Sequence, residues 1–309
     1  MGKIIDAHVH TGDWLGIKYE IEKLEAIMQN PLSNGDVIEK MIVSNLFSDI
    51  QDERKDEFEG NRELLDSVRS KPWFLPLAVC QPRKGSVDTI KRLFDENPGR
   101  FVGLKFHPDQ QELIASDVKY EPYLKFAQEN RLPCLFHCGI AWENHALVEE
   151  SRRYSSPAAI YQMAKKFPSV PVVLAHLGAG GPLVHEKAIL VLLESLEKKD
   201  ANLYTDISWV DWETKEKVTI VALVRVLKER SALDRLLFGT DAPIGEFETL
   251  NEKGGWLLYS TVVADIKNAI KSDAKLASDS AGIIHKIFYL NAQKLFERGA
   301  RGEQDFQPG

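Results

Sequence analysis

Two histidines separated by a single residue stand near the start of the chain, in the segment IIDAHVHTGD. If this segment is a β-strand, alternation places His8 and His10 on one face together with Asp6, and the apolar Ile5 and Ala7 on the other. Two imidazoles at this spacing can bind one metal ion. The alternative is a pair of hydrogen-bonded core histidines, because an unpaired buried polar group costs roughly 1–3 kcal/mol. The strand by itself does not decide between the two.

Three more residues of metal-binding type close later apolar runs. His137 lies near the end of LPCLFHCG, His176 lies near the end of VPVVLAHLG, and Asp241 directly follows LLFGT. Alternation puts His137 in phase with Leu135 and His176 in phase with Leu174, so we expect both imidazoles to face the same interior. Imidazole plus carboxylate is the ligand set of zinc and related divalent ions, with a position left open for water. The pattern therefore favours a metal site over structural histidines.

Eight short apolar runs recur along the chain and set the predicted fold. Their C-terminal ends fall near residues 10, 46, 80, 107, 138, 177, 208 and 241. A (β/α)8 barrel of ~250 residues needs about 31 residues per strand–helix unit, which this spacing matches. Helical patterns lie between the runs, for example SPAAIYQMAKKF, which begins with a serine cap and a proline. An open doubly wound sheet is the alternative, but it usually carries a glycine fingerprint where this chain has HVHTGDW.

The predicted architecture is a distorted (β/α)8 TIM barrel with a metal site at the C-terminal ends of its strands. In such a barrel the outer face of the first strand packs on helices, so Ile5, Ala7 and Val9 are expected to point outward. Asp6, His8 and His10 are expected to point into the lumen. Residues 1–309 are expected to form one domain, with a flexible tail from about residue 299.

Composition limits the class of partner and the compartment. The 309 residues carry a formal net charge of −7, which argues against nucleic acid as a partner. The sequence has no apolar run near the ~18–20 residues needed to cross a bilayer, so no membrane partner is expected. Cys80, Cys134 and Cys138 form no disulfide framework, which favours a reducing compartment, and the protein is predicted to be cytoplasmic.

Taken together, the motifs resemble the amidohydrolase superfamily, specifically its amidohydrolase-related branch (amidohydrolase 2) of metal-dependent TIM-barrel hydrolases. The resemblance covers nearly the whole chain and rests on ordered segments at barrel spacing. These segments are DAHVH, GLKFHP, HCG, AHLGAGG, FGTDAP and the closing FYLNAQKLF.

The resemblance implies a role for each matching residue. His8, His10 and His137 would bind the metal. His176 would act on the substrate, and Asp241 would touch the metal and move the proton of its water. One divalent ion is implied, with zinc expected and manganese or another divalent ion as alternatives. Relatives of this kind are often dimers, so a homodimer is also implied.

Lys105 and His107 stand at the end of the fourth run and are predicted to contact substrate. Lys105 has three interpretations: an amine paired with Asp6 or Asp206, a charge that holds a substrate carboxylate, or a carboxylated lysine that bridges two metals. The last is the least favoured, because the branch usually works with one metal. His107 is either a substrate contact or a satisfied core residue.

Tryptophans and one arginine are candidates for shaping the pocket. Arg83 follows the third run and can hold an acid group, or it is a solvated loop charge. Trp142 is predicted to line the mouth and to favour an aromatic or apolar substrate. Five tryptophans follow predicted strand ends: Trp14, Trp142, Trp209, Trp212 and Trp256.

Three functions are compatible with these residues. The first is a metal-dependent hydrolase that uses an activated water on an amide- or lactone-type bond of a small organic substrate. The second is a nonhydrolytic decarboxylase, a lyase, of an aromatic or muconate-like carboxylic acid. The third is a barrel that keeps its site but serves as a binding or regulatory protein. The sequence leaves the substrate itself open.

Overall fold

The computed structural model describes residues 2–14, 17–29, 31–46, 57–139, 153–178, 182–212, 214–242 and 252–297. Nine strands are found in these segments, and eight of them run parallel as a nearly closed barrel. The strands are β1 (Lys3–Trp14), β2 (Ile17–Tyr19), β3 (Val37–Asn45), β4 (Phe74–Cys80), β5 (Gly103–Phe106), β6 (Cys134–Phe136), β7 (Pro171–Leu174), β8 (Asn202–Asp206) and β9 (Leu236–Leu237). The eight parallel strands coincide with the eight predicted runs, and β2 is a short antiparallel addition to β1.

Backbone hydrogen bonds between the two ends of the sheet close the ring. The strands are ordered β2-β1-β3-β4-β5-β6-β7-β8-β9. The chain following β9 then pairs with β1, where the Ala7 amide donates to Phe238 O at 2.9 Å and the His10 amide to Ala242 O at 2.7 Å. The Asp241 amide donates back to His8 O at 2.8 Å. The predicted TIM barrel is confirmed, and an open doubly wound sheet is excluded because such a sheet has two unpaired edges.

Helices alternate with the strands and cover the outside of the ring. They are α1 (Ile21–Met28), α2 (Glu57–Ser67), α3 (Val87–Glu96), α4 (Glu121–Asn130), α5 (Pro157–Lys166), α6 (Pro182–Lys198), α7 (Val218–Glu229), α8 (Glu252–Ser272), α9 (Ser280–His285) and α10 (Asn291–Phe296). A π-helical turn, Lys286–Leu290, joins the last two. Helix α5 begins as predicted, because the Ser156 side chain accepts a hydrogen bond from the Ala159 amide. Within the described segments, every helix is too short or too polar to cross a membrane.

Two apolar clusters separate the lumen from the outer layer. The inner cluster is made largely of strand residues that point into the lumen, and α10 contributes Ala292 and Phe296 to it. Its strand members include Ile5, Ile42, Leu77, Leu135, Val173 and Leu237. The neighbouring residues of the same strands, such as Ile4, Phe136 and Leu174, pack in the outer cluster together with helix residues. The lumen is therefore a filled core, with space for chemistry only at its open end.

Some side chains of the first strand point in the opposite direction from the one predicted. Ile5 and Ala7 lie in the inner cluster, so they point into the lumen rather than at the helices. Asp6 points outward and accepts a hydrogen bond from the Tyr259 hydroxyl of α8 at 2.6 Å. The prediction that Asp6 shares a face with both histidines was wrong. The reason is a β-bulge, because pairing with β3 shifts register between Asp6 and Val9. After the bulge, Val9 lies in the outer cluster.

The expectations for single-domain organisation and for the tail stay predictions. Residues 298–309, which include the tail predicted from about residue 299, lie outside the described residues.

Candidate active site

The predicted metal-binding and catalytic residues lie within β1 or on the segments that follow β6, β7 and β9. His8 and His10 come from the bulged part of β1, and His137 follows β6 by one residue. Leu135, two residues before His137, lies in the inner cluster. His176 and Asp241 lie on the segments that follow β7 and β9. All five side chains are at least nine-tenths buried.

His176 reaches the site by a different route from the one predicted. Leu174 lies in the outer cluster, so a continuing strand would have pointed His176 toward the helices. Instead the backbone enters a 3-10 turn in which His176 has φ 61. Asp241, with φ 64, and Trp209, with φ 61, share this left-handed conformation. Such backbone costs about 1–3 kcal/mol per residue and is concentrated at functional sites, where the surrounding structure holds it in place.

Three ligand atoms converge at the mouth of β1 and β9. His10 Nε2 lies 2.9 Å and His8 Nε2 3.3 Å from Asp241 Oδ1. The two Nε2 atoms are 3.1 Å apart. Two tetrahedral ligands of a zinc-like ion are expected to lie about 3.4 Å apart, given bonds of 2.0–2.2 Å. Among the described residues no hydrogen bond of good geometry reaches the buried Asp241 Oδ1. This donor set fits a divalent cation.

One carboxylate orients two of the histidines. Asp206 Oδ1 accepts hydrogen bonds from the His176 amide at 3.0 Å, the Ser208 amide at 3.0 Å and the Ser208 hydroxyl. Asp206 Oδ2 lies 3.1 Å from His8 Nδ1. Because a carboxylate only accepts, His8 must carry its proton on Nδ1, which leaves Nε2 bare for a metal.

The donors and acceptors around His176 likewise determine its tautomer. Its Nδ1 lies 2.7 Å from the Ser208 hydroxyl oxygen. Since that hydroxyl already donates to Asp206, it accepts from His176 Nδ1–H, and His176 Nε2 is left as a bare acceptor. His8, His176 and Asp206 also have metal-like spacing. Hydrogen bonds already explain that spacing, so this group needs no ion.

Burial sets the protonation states at neutral pH. It lowers the pKa of His10 to about 4 and the pKa of His176 to about 3. For Asp241, burial raises the pKa, but the imidazoles of His176, His8 and His10 together outweigh it and hold the pKa well below its usual value. Neutral imidazoles and an ionised carboxylate are the states that bind a divalent ion.

Lys105 and Gly239 pack tightly against His8. Lys105 Nζ lies 2.9 Å from His8 Nε2, and its side chain is fully buried. Of the acids considered as its partner, Asp6 is held by Thr240 and Tyr259, and Asp206 by the donors described above. A Cβ at Gly239 would lie 3.0 Å from the His8 Cβ, so this glycine permits the close approach of His8 to Asp206.

A second polar cluster adjoins the first. The rings of His107 and His137 stack with centroids 4.1 Å apart. Asp109 lies beside both, with Oδ1 2.8 Å from His107 Nδ1 and Oδ2 3.7 Å from His137 Nε2. The ring of His137 is 5.1 Å from that of His176, which is 4.8 Å from His8. The imidazoles thus form a continuous row. Asp109 was missed from the sequence, although a carboxylate two residues after a candidate histidine was a signal.

The remaining candidates are placed as follows. The Trp209 indole N–H donates to Asp241 Oδ2 at 2.7 Å, and its ring stacks on Trp212 with centroids 4.9 Å apart. The Arg83 side chain is 42 % exposed and ion-pairs with Glu112. Trp142 lies outside the described residues, as do the side chains of Trp14 and Trp256.

Comparisons with known proteins identify the family and agree with the fold. The amidohydrolase family model matches residues 5–298. Among curated proteins, none matches the chain significantly. The fold is similar to 2,6-dihydroxybenzoate decarboxylase in complex with 2,6-dihydroxybenzoate, at a TM-score of 0.63 and 16 % identity over 96 % of this chain and 99 % of that one.

Two further structures share the fold. One is the 5-carboxyvanillate decarboxylase of Novosphingobium aromaticivorans with manganese and 4-hydroxy-3-methoxy-5-nitrobenzoic acid, at a TM-score of 0.60 and 13 % identity over 96 % of both chains. The other is a probable 2-pyrone-4,6-dicarboxylic acid hydrolase of Acinetobacter baumannii with citric acid bound. Its TM-score is 0.60 and its sequence identity 14 %, over 95 % of this chain and 99 % of that one. Since the family model spans almost the entire chain, this protein belongs to the amidohydrolase family of TIM-barrel enzymes.

Proposed function

We propose that this protein is a metal-dependent hydrolase that cleaves an amide- or lactone-type bond in a small organic acid. The observation that carries the proposal is the position of Asp241. Its ionised Oδ1 lies within 3.3 Å of both metal-type nitrogens, His8 Nε2 and His10 Nε2. A carboxylate at that position is a base placed where an attacking water would bind.

Each residue has a defined part in this proposal. His8, His10 and Asp241 would hold a divalent ion. A divalent ion at such a site lowers the pKa of water toward about 7 and polarises a carbonyl oxygen. Asp241 accepts the proton of the attacking water and returns it to the leaving group. His176, held by Ser208, directs its bare Nε2 at the substrate.

The substrate class follows from charge and shape. Lys105 is a buried amine beside His8 and suits a substrate carboxylate. The Trp209–Trp212 stack stands next to Asp241 and suits a planar ring. The acids bound by the similar structures, a dihydroxybenzoate, a nitrobenzoic acid and citric acid, support the same class.

The second candidate is decarboxylation of an aromatic or muconate-like acid. The observations that favour it are the Lys105 amine beside His8 and the Trp209–Trp212 stack beside Asp241, because a cation and an aromatic surface suit a hydroxybenzoate. Two of the similar structures are decarboxylases. In this reaction Asp241 would take the phenolic proton and deliver it to the ring carbon as carbon dioxide leaves.

Parallel assays separate the two reactions. Metal-free protein and protein reloaded with zinc or manganese are tested for lactone and amide hydrolysis and for carbon dioxide release from hydroxybenzoates. Hydrolysis that needs metal and falls about 10²–10⁴-fold in Asp241→Asn supports the first proposal. Asp234→Asn, with a 55 % exposed side chain, is the control. Carbon dioxide release without hydrolysis supports the second. No metal-dependent turnover of either kind contradicts both.

Several expectations from the sequence stay predictions. They are zinc as the resident ion, a homodimer, a cytoplasmic location, His137 as a ligand of the ion, and substrate contacts from His107, Arg83 and Trp142.

A further inference from the structure

A buried lysine that takes no part in the proposed reaction lies directly before α7. Lys217 is only 1 % exposed, and its Nζ donates to the Asp211 carbonyl oxygen at 2.8 Å and to the Trp212 carbonyl oxygen at 3.4 Å. Lysine is almost never fully buried unless its ammonium is paired, because removing a charge from water is costly. Both of these partners belong to the segment that carries the Trp209–Trp212 stack.

The segment between β8 and α7 has a strained backbone. Trp209, Asp211 and Lys217 have φ values of 61, 52 and 49. Left-handed backbone is unfavourable at residues other than glycine, and it persists where other contacts hold it in place. A segment with three such residues needs contacts of this kind, and the Lys217 ammonium supplies two of them.

The Asp211 side chain ties the same segment to the start of α7. Its Oδ2 accepts hydrogen bonds from the amide of Thr219 at 2.6 Å and from the amide of Ile220 at 3.1 Å. The first amides of a helix lack partners within the helix and carry partial positive charge, so a carboxylate there is stabilising. Asp211 and Lys217 therefore fasten the segment to α7 at two points.

The other end of the segment reaches the candidate active site. The Trp209 indole N–H donates to Asp241 Oδ2 at 2.7 Å. The rings of Trp209 and Trp212 stack with their planes 23° apart, and both residues are partly exposed. Because Lys217 holds the carbonyl oxygen of Trp212, loss of its ammonium would free that peptide group and let the Trp212 ring leave the stack.

We propose that Lys217 is a positioning residue for the tryptophan pair. Its ammonium fixes the peptide oxygens of Asp211 and Trp212, and it thereby keeps Trp212 stacked on Trp209 beside Asp241 as one rigid surface for a planar ring. A surface that is already ordered binds more tightly, since less freedom is lost on binding. The assignment of a planar acid to this surface rests on the proposed function, but the arrangement of the indoles can be measured without turnover.

Circular dichroism of the full chain reports the stack, because two stacked indoles give a paired positive and negative band in the far ultraviolet. Trp209→Phe and Trp212→Phe assign these bands, which each variant is expected to remove. Lys217→Met is expected to lose most of their amplitude and to keep its helical signal. Lys215→Met makes the same change at an exposed position two residues away and is expected to keep the bands. Lys217→Gln, whose neutral amide is one bond shorter, replaces Lys217→Met if that variant does not fold.

Calorimetric titration then tests what the surface receives. The probes are 2,6-dihydroxybenzoate, which has a planar ring, and citrate, which has none. Lys217→Met is expected to weaken binding of the dihydroxybenzoate roughly 2–10-fold, the range of an aromatic contact, and to leave citrate binding unchanged. Lys215→Met is expected to bind both probes as wild type does.

The outcomes that overturn the proposal differ from those that overturn the proposed function. Paired bands of wild-type amplitude in folded Lys217→Met and Lys217→Gln contradict the positioning role, as does an equal loss in Lys215→Met. Equal weakening of both probes contradicts a surface for a planar ring. A wild-type protein without turnover, whose bands still depend on Lys217, contradicts the proposed function and supports the positioning role.

Discussion

Replacement of Asp206 by asparagine tests how the site prepares His8 for metal. Three donors converge on Asp206 Oδ1 and one, His8 Nδ1, on Oδ2. Asparagine has one accepting oxygen, which three donors hold at the Oδ1 position, so its NH2 group must face His8 Nδ1. His8 then accepts at Nδ1 and carries its proton on Nε2, the nitrogen that would bind the metal. Removing such an orienting partner typically weakens metal binding 10–100-fold, or about 1.4–2.8 kcal/mol.

The assay is a competition titration of Zn²⁺ against a chelating dye, with circular dichroism to verify folding. Asp234→Asn makes the same chemical change at an exposed position and is expected to leave the dissociation constant unchanged. A folded Asp206→Asn protein with wild-type affinity would refute the assigned tautomers. A loss in Asp234→Asn of equal size would show that the effect is general to charge removal.

Three further predictions follow from single contacts. Gly239→Ala places a Cβ 3.0 Å from the Cβ of His8 and is expected to lower the free energy of unfolding by about 1–3 kcal/mol, measured by urea titration. Gly282→Ala on α9 is the control, because a Cβ there has no atom within 4 Å, and it is expected to leave the free energy of unfolding unchanged. Trp209→Phe removes the indole N–H that donates to Asp241 Oδ2, so the pKa of Asp241 should rise and the acidic limb of the kcat/KM–pH profile should move to higher pH. An acidic limb that does not move would contradict a role for Asp241 as the base. Lys267→Met removes the cation of the ion pair with buried Asp36 and should lower the free energy of unfolding by about 3–5 kcal/mol.

The pH dependence of that last variant has a defined sign. Burial raises the pKa of Asp36, but Lys267 and the Gly2 amide outweigh it, and the net pKa is lowered below 3.8. A depressed carboxyl pKa stabilises the fold above the unfolded value, and that stability is lost as pH falls through the folded value. Wild type should therefore lose stability below about pH 4 more steeply than Lys267→Met. Parallel curves for the two proteins would contradict the assignment.

The number and order of the eight parallel strands could be predicted from the sequence, but the short antiparallel β2 was not. Runs such as VPVVLAHLG and LPCLFHCG are short, apolar and regularly spaced, and a period of that length allows few folds other than a (β/α)8 barrel. Once the barrel is assumed, residues at run ends must meet at one mouth. That reasoning located His8, His10, His137, His176 and Asp241 without any contact information.

The sequence by itself therefore determined the eight parallel strands and the residues that reach the mouth. The tertiary structure alone decided which way those residues face. The bulge that points Ile5 inward and Asp6 at Tyr259 depends on pairing with β3. The left-handed turn that redirects His176 depends on Asp206, 30 residues away. Strand alternation is a local rule, and it fails where partners distant in sequence supply hydrogen bonds that outweigh it.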